Sequence, residues 1–410
     1  MPIRPILSAL LRRKSGALLV ASQVALTLAV LCNAVFIVHE RIDKSRLPSG
    51  VDEPAVFFVQ SITPGQDDAP FDRQRADEAL ARAVPGVVDA AWINQMPLAQ
   101  SGNASGVAKE RGAKETANTA VYAGPHNVAA VLGLTVVQGR GFGPGDDVDI
   151  DQRKTRLSAS DALITRRLAE QMFPGEANVI GRQLYLGTGA DDPGVTVVGV
   201  VDRLVSPWGQ VSWNPGDPLG ERSMLLPARY ESGGMLVVRA DPAQADSARR
   251  EVVDRLRAAT PGRIVLADRS MAEVRDRRYR NDTWLAKLLT VVIGLLLVMT
   301  AGGIVGLASL WVTQRRKQIG VRRALGARRI DIVMHFVVEN LMITSLGVAA
   351  GLTLAVALNH ALTRVTELTA LPAVVLVGSG LAMLALGVGA VLAPALRAAR
   401  VPPAEATRSV

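Results

Sequence analysis

The densest run of chemically capable side chains is QIGVRRALGARRIDI at 318–332, where Arg322, Arg323, Arg328 and Arg329 follow closely on Arg315, Arg316 and Lys317. Guanidinium groups are fixed forks that grip carboxylates. Here they alternate with small apolar residues, so the chemistry on offer is recognition and not bond breaking. Glu339 and Asn340 are the other polar candidates, because they interrupt an apolar stretch in which an ionisable group must find a partner. Catalytic groupings are missing elsewhere. No G-x-x-x-x-G-K-[ST] run exists to cradle nucleotide phosphates, and ESGGM at 231–235 reads as a turn ahead of a strand. His39, His126, His335 and His360 lie far apart, none with a helical i, i+4 partner. Asp146, Asp147, Asp149 and Asp151 alternate without the Gly and Glu that a calcium loop requires, and read as a solvated loop. A single cysteine, Cys32, excludes an intrachain disulfide and a cysteine-based metal centre. No catalytic residue, metal ligand or bound cofactor is assigned to this chain.

The arginine run sits between two of the most apolar stretches of the sequence. The 410 residues are 49% hydrophobic and 20% charged, with a mean hydropathy of +0.23. That is too apolar for an ordinary soluble protein and too charged for one embedded throughout, so membrane spans and a sizeable water-exposed part are expected together. The net charge of +9 gathers beside the apolar runs, which marks topology and argues against a nucleic-acid partner. Four runs reach the ~20 residues that a bilayer core needs: 17–38, 284–311, 332–358 and 371–396. Trp284 and Trp311 bracket the second as interfacial anchors. The first follows Arg12, Arg13 and Lys14 but is long for a signal peptide and has no A-x-A site, so it reads as an uncleaved span.

Orientation follows from loop charge. Arg4, Arg12, Arg13 and Lys14 precede the first span, and the seven cations from Arg315 to Arg329 separate the second and third. Arg397, Arg400 and Arg408 follow the fourth against Glu405, whereas 359–370 carries only Arg364 and Glu367. Positive-inside reasoning places 1–16, 312–331 and 397–410, hence both termini, in the cytoplasm, and the long segment 39–283 outside. Gly302-x-x-x-Gly306 and Gly347-x-x-x-Gly351 would let helices approach closely.

Within 39–283, AVFFVQSI (55–62) and VVDAAWI (87–93) read as strands around a helix with an apolar stripe at 70–84. The order recurs as strand 234–240, helix 242–260 and strand 264–267. Two β-α-β units, at 55–96 and 234–267, suggest an α+β domain of split-βαβ character whose strands pair across an inserted lobe at about 97–230. In that insertion 101–118 reads as a flexible loop, 119–142 as strand–helix–strand, 159–173 as a helix, 180–186 and 195–201 as strands, and 205–218 as loop. The expected fold is therefore an α-helical membrane protein with four transmembrane helices plus an α+β extracytoplasmic domain of two lobes between spans 1 and 2. If the second span's helix continues outward through VRDRRYRND (274–282), it becomes a rigid lever.

QRRKQIGVRRALGARRIDIVMHFVVENLMITSLGVAAGL (314–352) resembles the hallmark of the FtsX-like permeases, where a Glu-Ile-Gly-x-Arg-Arg-Ala-x-Gly-Ala segment follows the second span. Gln318 stands in the place usually held by the Glu, and Glu339 matches an acidic position of the family's third span. PALRAARVPPAEATRS (394–409) is similar to the family's C-terminal tail, so the FtsX-like region covers about 284–403. VAAVLGLTVVQGRGF (128–142), AEQMFPGEANVIGRQL (169–184) and VTVVGVV (195–201) resemble the periplasmic core domain of MacB-type transporters.

The resemblance implies the permease subunit of an ABC transporter, multi-pass in the bacterial inner membrane. It implies that Ile319, Gly320, Val321, Arg322, Arg323, Ala324, Leu325, Gly326 and Ala327 couple to a cytoplasmic ATPase dimer, which itself holds ATP and Mg. A second permease, identical or homologous, and a periplasmic membrane-fusion adaptor are the further partners implied, beside the lipid membrane. Because the sequence starts almost directly at the first span, the ATPase is expected on another polypeptide. Such transporters pass ATPase closure through the membrane to the external domain, which exports or extracts a periplasmic substrate by mechanotransmission. The alternative left open is an extracytoplasmic sensor, or an FtsX-like regulator of a periplasmic partner, without transport.

Overall fold

The computed structural model describes residues 14–64, 68–113, 117–151, 159–187, 193–209, 220–231, 233–363 and 370–400. The expectations for Arg4, Arg12, Arg13, Arg364, Glu367, Glu405, Arg408 and most of the 205–218 loop fall outside these residues. From the N-terminus the elements run α1 (Lys14–Arg46), β1 (Val56–Ile62), α2 (Pro70–Arg82), β2 (Val87–Ile93), β3 (Ala104–Ala108), β4 (Ala117–Gly124), α3 (Val128–Leu132) and β5 (Val136–Gly139). After a 3-10 turn at Pro144–Asp146 come β6 (Val148–Ile150), β7 (Asp161–Thr165), α4 (Arg166–Met172), β8 (Gln183–Leu186), β9 (Gly194–Val201) and β10 (Ser223–Tyr230). The remainder is β11 (Met235–Ala240), α5 (Ala245–Ala259), β12 (Ile264–Ser270), α6 (Met271–Gln314), α7 (Arg316–Ala324), α8 (Arg329–Thr363) and α9 (Ala373–Ala399). The chain divides into two compact units, Lys44–Arg280 and the combination of Met1–Asp43 with Asn281–Val410.

In the first unit a four-stranded sheet has the order β12-β1-β11-β2. Val237 of β11 lies between Phe58 of β1 and Ala91 of β2, antiparallel to both. The strands of the two β-α-β units thus interleave across the insertion, as the sequence pattern predicts. Successive side chains point to opposite faces: Phe57, Val59, Leu236 and Val238 pack under α2 and α5, while Val56, Phe58, Met235 and Val237 join the core that includes Tyr122, Leu163 and Leu225. The insertion builds an eight-stranded sheet, β4-β3-β8-β9-β7-β10-β6 with β5 on β9, and a further β4–β10 pairing closes six of its strands into a ring. Val107, Ile164, Leu184, Val197, Met224 and Leu226 belong to one of its buried clusters.

Four local expectations are corrected. Residues 101–118 contain strand β3, because Val107 and Ala108 are buried and pair with β4 and β8. Residues 159–173 divide into β7 and α4 at Thr165, whose hydroxyl caps the helix by accepting from the Leu168 N–H. The acidic loop 146–151 holds β6, which runs parallel to β10. The helix at 70–84 buries a mixed and not a purely apolar stripe: Ala81 and Val84 join the cluster under the sheet, but Gln74, Asp77 and Glu78 are buried as well. That face is tolerable because its charges are paired: Arg229 of β10 donates to both Glu78 oxygens at 2.6 and 2.9 Å, and Arg263 donates to Asp77 at 2.8 Å. Burial nonetheless pushes the Asp77 carboxyl up, against the pull of Arg263.

The other unit contributes α1, most of α6, α7, α8 and α9. Among the described residues four helices are long and apolar enough to cross a membrane, with mean hydropathies of 2.1 to 2.5 over their best windows. Helix α6 is uninterrupted over 44 residues, about 66 Å at ~1.5 Å per residue. Gly347 and Gly351 of α8 lie against α1, where an added Cβ would meet the Ala21 and Ala25 carbonyl oxygens at 2.7 and 2.9 Å. Side chains then bind helix to helix: the Thr27 and Thr300 hydroxyls lie 2.8 Å apart, and Asn33 donates to the Ala355 carbonyl at 3.1 Å. Such polar contacts hold helices together where apolar burial gives no preference.

Candidate functional site

Helix α7 and its flanks give the 319–327 segment two opposite stripes. Arg315, Ile319 and Arg323 recur every four residues, so they share one face of the helix. Arg315 is the single residue between α6 and α7. Its guanidinium donates to both oxygens of Glu339 on α8, at 2.6 and 2.9 Å. Ile319 is buried with Ile332, Val333 and Phe336 of α8 and Ala395, Ala398 and Ala399 of α9. Arg323 donates to the Ala399 carbonyl at 3.1 Å, where α9 ends. Lys317, Val321 and Leu325, also four residues apart, lie on the other side, with Val321 52% and Leu325 83% exposed. Arg322 and Ala324 are exposed as well, Gly320 is buried, and Ala327 packs half-buried against the Ile319 cluster.

The helix stops where its backbone bonds say it must. Gly326 adopts φ +95°, the Ala327 N–H bonds to the Arg322 carbonyl and the Gly326 N–H to that of Arg323. This pair of bonds is a Schellman ending. Asp331 then accepts from the Arg328 N–H at 2.9 Å and starts α8. Leu325, Gly326 and Ala327 therefore form a turn beyond the helix and not part of it.

Glu339, 3% exposed, has the interhelical partner that its position in an apolar run required. Asn340 beside it donates to the Gly387 carbonyl of α9 at 2.8 Å. By sequence Arg315 is one of seven loop cations, and the four-residue spacing 315/319/323 is the signal that sets it apart. Elsewhere, His126 sits 2.9 Å from Asp147, and the expectation that no histidine has an i, i+4 partner is corrected at His39, which lies 3.2 Å from Asp43 one turn along α1. Among the described residues no group of three or more His, Cys, Asp or Glu gathers as a metal site. The exposed side of α7 is an apolar ridge, Val321 and Leu325, among cations.

A family profile described as the FtsX-like permease C-terminal region matches residues 290–403, and the MacB-like periplasmic core domain matches residues 25–255, more than half of the chain. The chain belongs to the MacB/FtsX-like ABC transporter permease family. Its relatives include the macrolide export ATP-binding/permease protein MacB of Salmonella paratyphi A, 26% identical over 222 residues, 53% of this chain and 33% of that protein. The protein of the same description from Burkholderia lata is 26% identical over 307 residues, 73% of this chain and 41% of its own length. The chain thus spans a third to two-fifths of these relatives. A solved structure of the periplasmic region of MacB from Actinobacillus actinomycetemcomitans aligns with a TM-score of 0.34 and 11% identity, covering 56% of this chain and 94% of that one.

Proposed function

We propose that this chain is the membrane-spanning permease subunit of a MacB-type ABC transporter, and that α7 with its following turn is the surface that docks on an ATPase subunit. In this reading α1, α6, α8 and α9 cross the bacterial inner membrane, and α7 and both termini are cytoplasmic. Unit 44–280 is periplasmic and forms two lobes, one around the four-stranded sheet and one around the ring. The ATPase dimer binds ATP and Mg, a second permease (the same or a homologous chain) completes the complex, and a periplasmic adaptor is a further partner. ATP hydrolysis moves the periplasmic unit, through the continuous helix α6, to export or extract a substrate by mechanotransmission.

The observation that carries the reading is the division of α7 into an anchored stripe and a free one. A segment needed only for membrane orientation requires charge; it does not require Val321 and Leu325 in water beside Lys317 and Arg322. Exposed apolar residues rimmed by cations suit a cleft with acidic edges. The test is capture of candidate ATPase subunits by the tagged full chain, with Val321→Asp and Leu325→Asp as variants. Both side chains are exposed, so the variants should melt like the native chain while capture and ATPase stimulation fall roughly tenfold or more. If the native chain captures no ATPase, or the variants leave capture unchanged, the reading is wrong.

A further inference from the structure

The free face of α7 is useful only if it is held at one angle, and little apolar surface holds it. Ile319 and Gly320 are the buried residues of the helix, so α7 cannot be fixed by packing as α8 is. Polar ties sit at its two ends, from Arg315 before the first turn and Arg323 in the last. The two differ in kind. Arg323 donates to a carbonyl at a helix terminus. Arg315 makes two charge-assisted bonds to a carboxylate ten residues inside α8, and a bidentate fork fixes direction as well as distance. Arg315 is also the joint: α6 ends at Gln314 and α7 starts at Arg316, so the backbone that sets the course of α7 belongs to the residue whose side chain is clamped.

We propose that Glu339, acting through Arg315, is a positioning residue that fixes the angle at which α7 presents Lys317, Val321 and Leu325. This rests on the reading of α7 as the ATPase-docking helix, but it makes a claim about the chain alone. A buried carboxylate placed merely to bind α8 to a neighbour would leave α7 in place when neutralised, since Asn340 still ties α8 to α9 and Gly347 and Gly351 still seat it on α1. A positioning carboxylate would not.

The experiment reads the helix directly. Nitroxides are attached to Leu325→Cys and Leu346→Cys, both exposed, in full-length protein in which Cys32 is replaced by Ser, and their separation is measured by pulsed electron resonance. The native pair should give one narrow distance population. Glu339→Gln should broaden or displace it, Arg315→Lys should do so in part because the second bond is lost, and the exchange Arg315→Glu/Glu339→Arg should restore a narrow population. An unchanged distribution in both E339Q and R315K overturns the proposal, and so does failure of the exchange to restore a narrow population while the protein remains folded. If E339Q does not fold, R315K with the exchange carries the test. Capture of the ATPase by the unlabelled variants is the second arm. Loss of capture in E339Q, with its exposed ridge intact, supports positioning. A displaced α7 with capture undiminished in E339Q, Val321→Asp and Leu325→Asp alike overturns the docking reading and leaves the geometric role of Glu339 standing.

Discussion

Arg229→Met removes a guanidinium on β10 that donates to both oxygens of Glu78 on α2. The side chains are 7% and 2% exposed, and stranding one partner of so buried a pair costs about 3–5 kcal/mol. Glu78 keeps a 2.7 Å bond from the Trp92 backbone N–H and a 3.5 Å approach from Arg82, which places the loss at the lower end, about 3 kcal/mol. For a unit of this size each kcal/mol moves Tm by about 2–4 °C, so R229M should melt ~6–12 °C below the native chain. Adding Glu78→Gln removes the stranded charge while its amide oxygen still accepts from Trp92, so most of the loss should return. The assay is thermal unfolding of the detergent-solubilised full chain, with limited proteolysis reporting residues 44–280, for both single variants and the double variant as a cycle. If R229M melts within about 2 °C of native, or the double variant is no more stable than R229M, the pair does not hold α2 to β10.

Three further outcomes are expected. Burial pushes the Glu53 carboxyl up, but hydrogen bonds from Arg275 and Ser49 and the Arg275 charge outweigh it and hold it below its ordinary value of 4.5. A depressed carboxylate contributes stability that is present above that value and lost as pH falls through the folded-state one. Melting temperature should therefore drop on acidification below about pH 4.5, and Glu53→Gln should flatten that limb of the melting curve against pH. Gly326→Ala forces a side chain into the left-handed region, at about 1–2 kcal/mol; its Tm should fall and that of Gly326→Asn should fall less. Gly351→Leu should prevent assembly of the helices, because its Cβ meets α1 backbone at 2.9–3.0 Å, whereas Gly302→Leu, with nothing within 4 Å, should leave the melt unchanged. Cross-linking of Gly302→Leu should show fewer dimers if a second permease copy covers that face.

The apolar helices and the interleaved sheet were legible because each has a one-dimensional signature: runs of about 20 apolar residues, and strands around helices at 55–93 and 234–267. The ring was harder. Strand β3, ASGVA, is composed like a loop and is a strand only because Val107 and Ala108 find β4 and β8. Strand β10, SMLLPARY, is buried almost along its whole length, so it shows no alternation by which a strand is recognised. The polar part of the buried stripe of α2 keeps the helical period but is invisible to hydropathy, since Glu78 and Asp77 are acceptable inside only after Arg229 and Arg263 arrive from 151 and 186 residues away. At the 315–327 segment the residue types are readable, and so is the need of Glu339 for a partner. Which arginine answers it depends on where α6 ends, and hydropathy does not mark that residue.

The interleaving of the four-stranded sheet has a consequence for the making of the protein. Strands β1 and β2 leave the ribosome early, yet the strand that belongs between them, β11, begins at Met235, about 140 residues after β2 ends at Ile93. At ~5–20 residues per second the wait is roughly seven to thirty seconds. Until then VFFVQSI and VVDAAWI face each other across a missing centre, each with unpaired backbone along the edge that β11 will occupy. The nascent chain is therefore most open to mispairing with a neighbour in the interval when the ring is being synthesised.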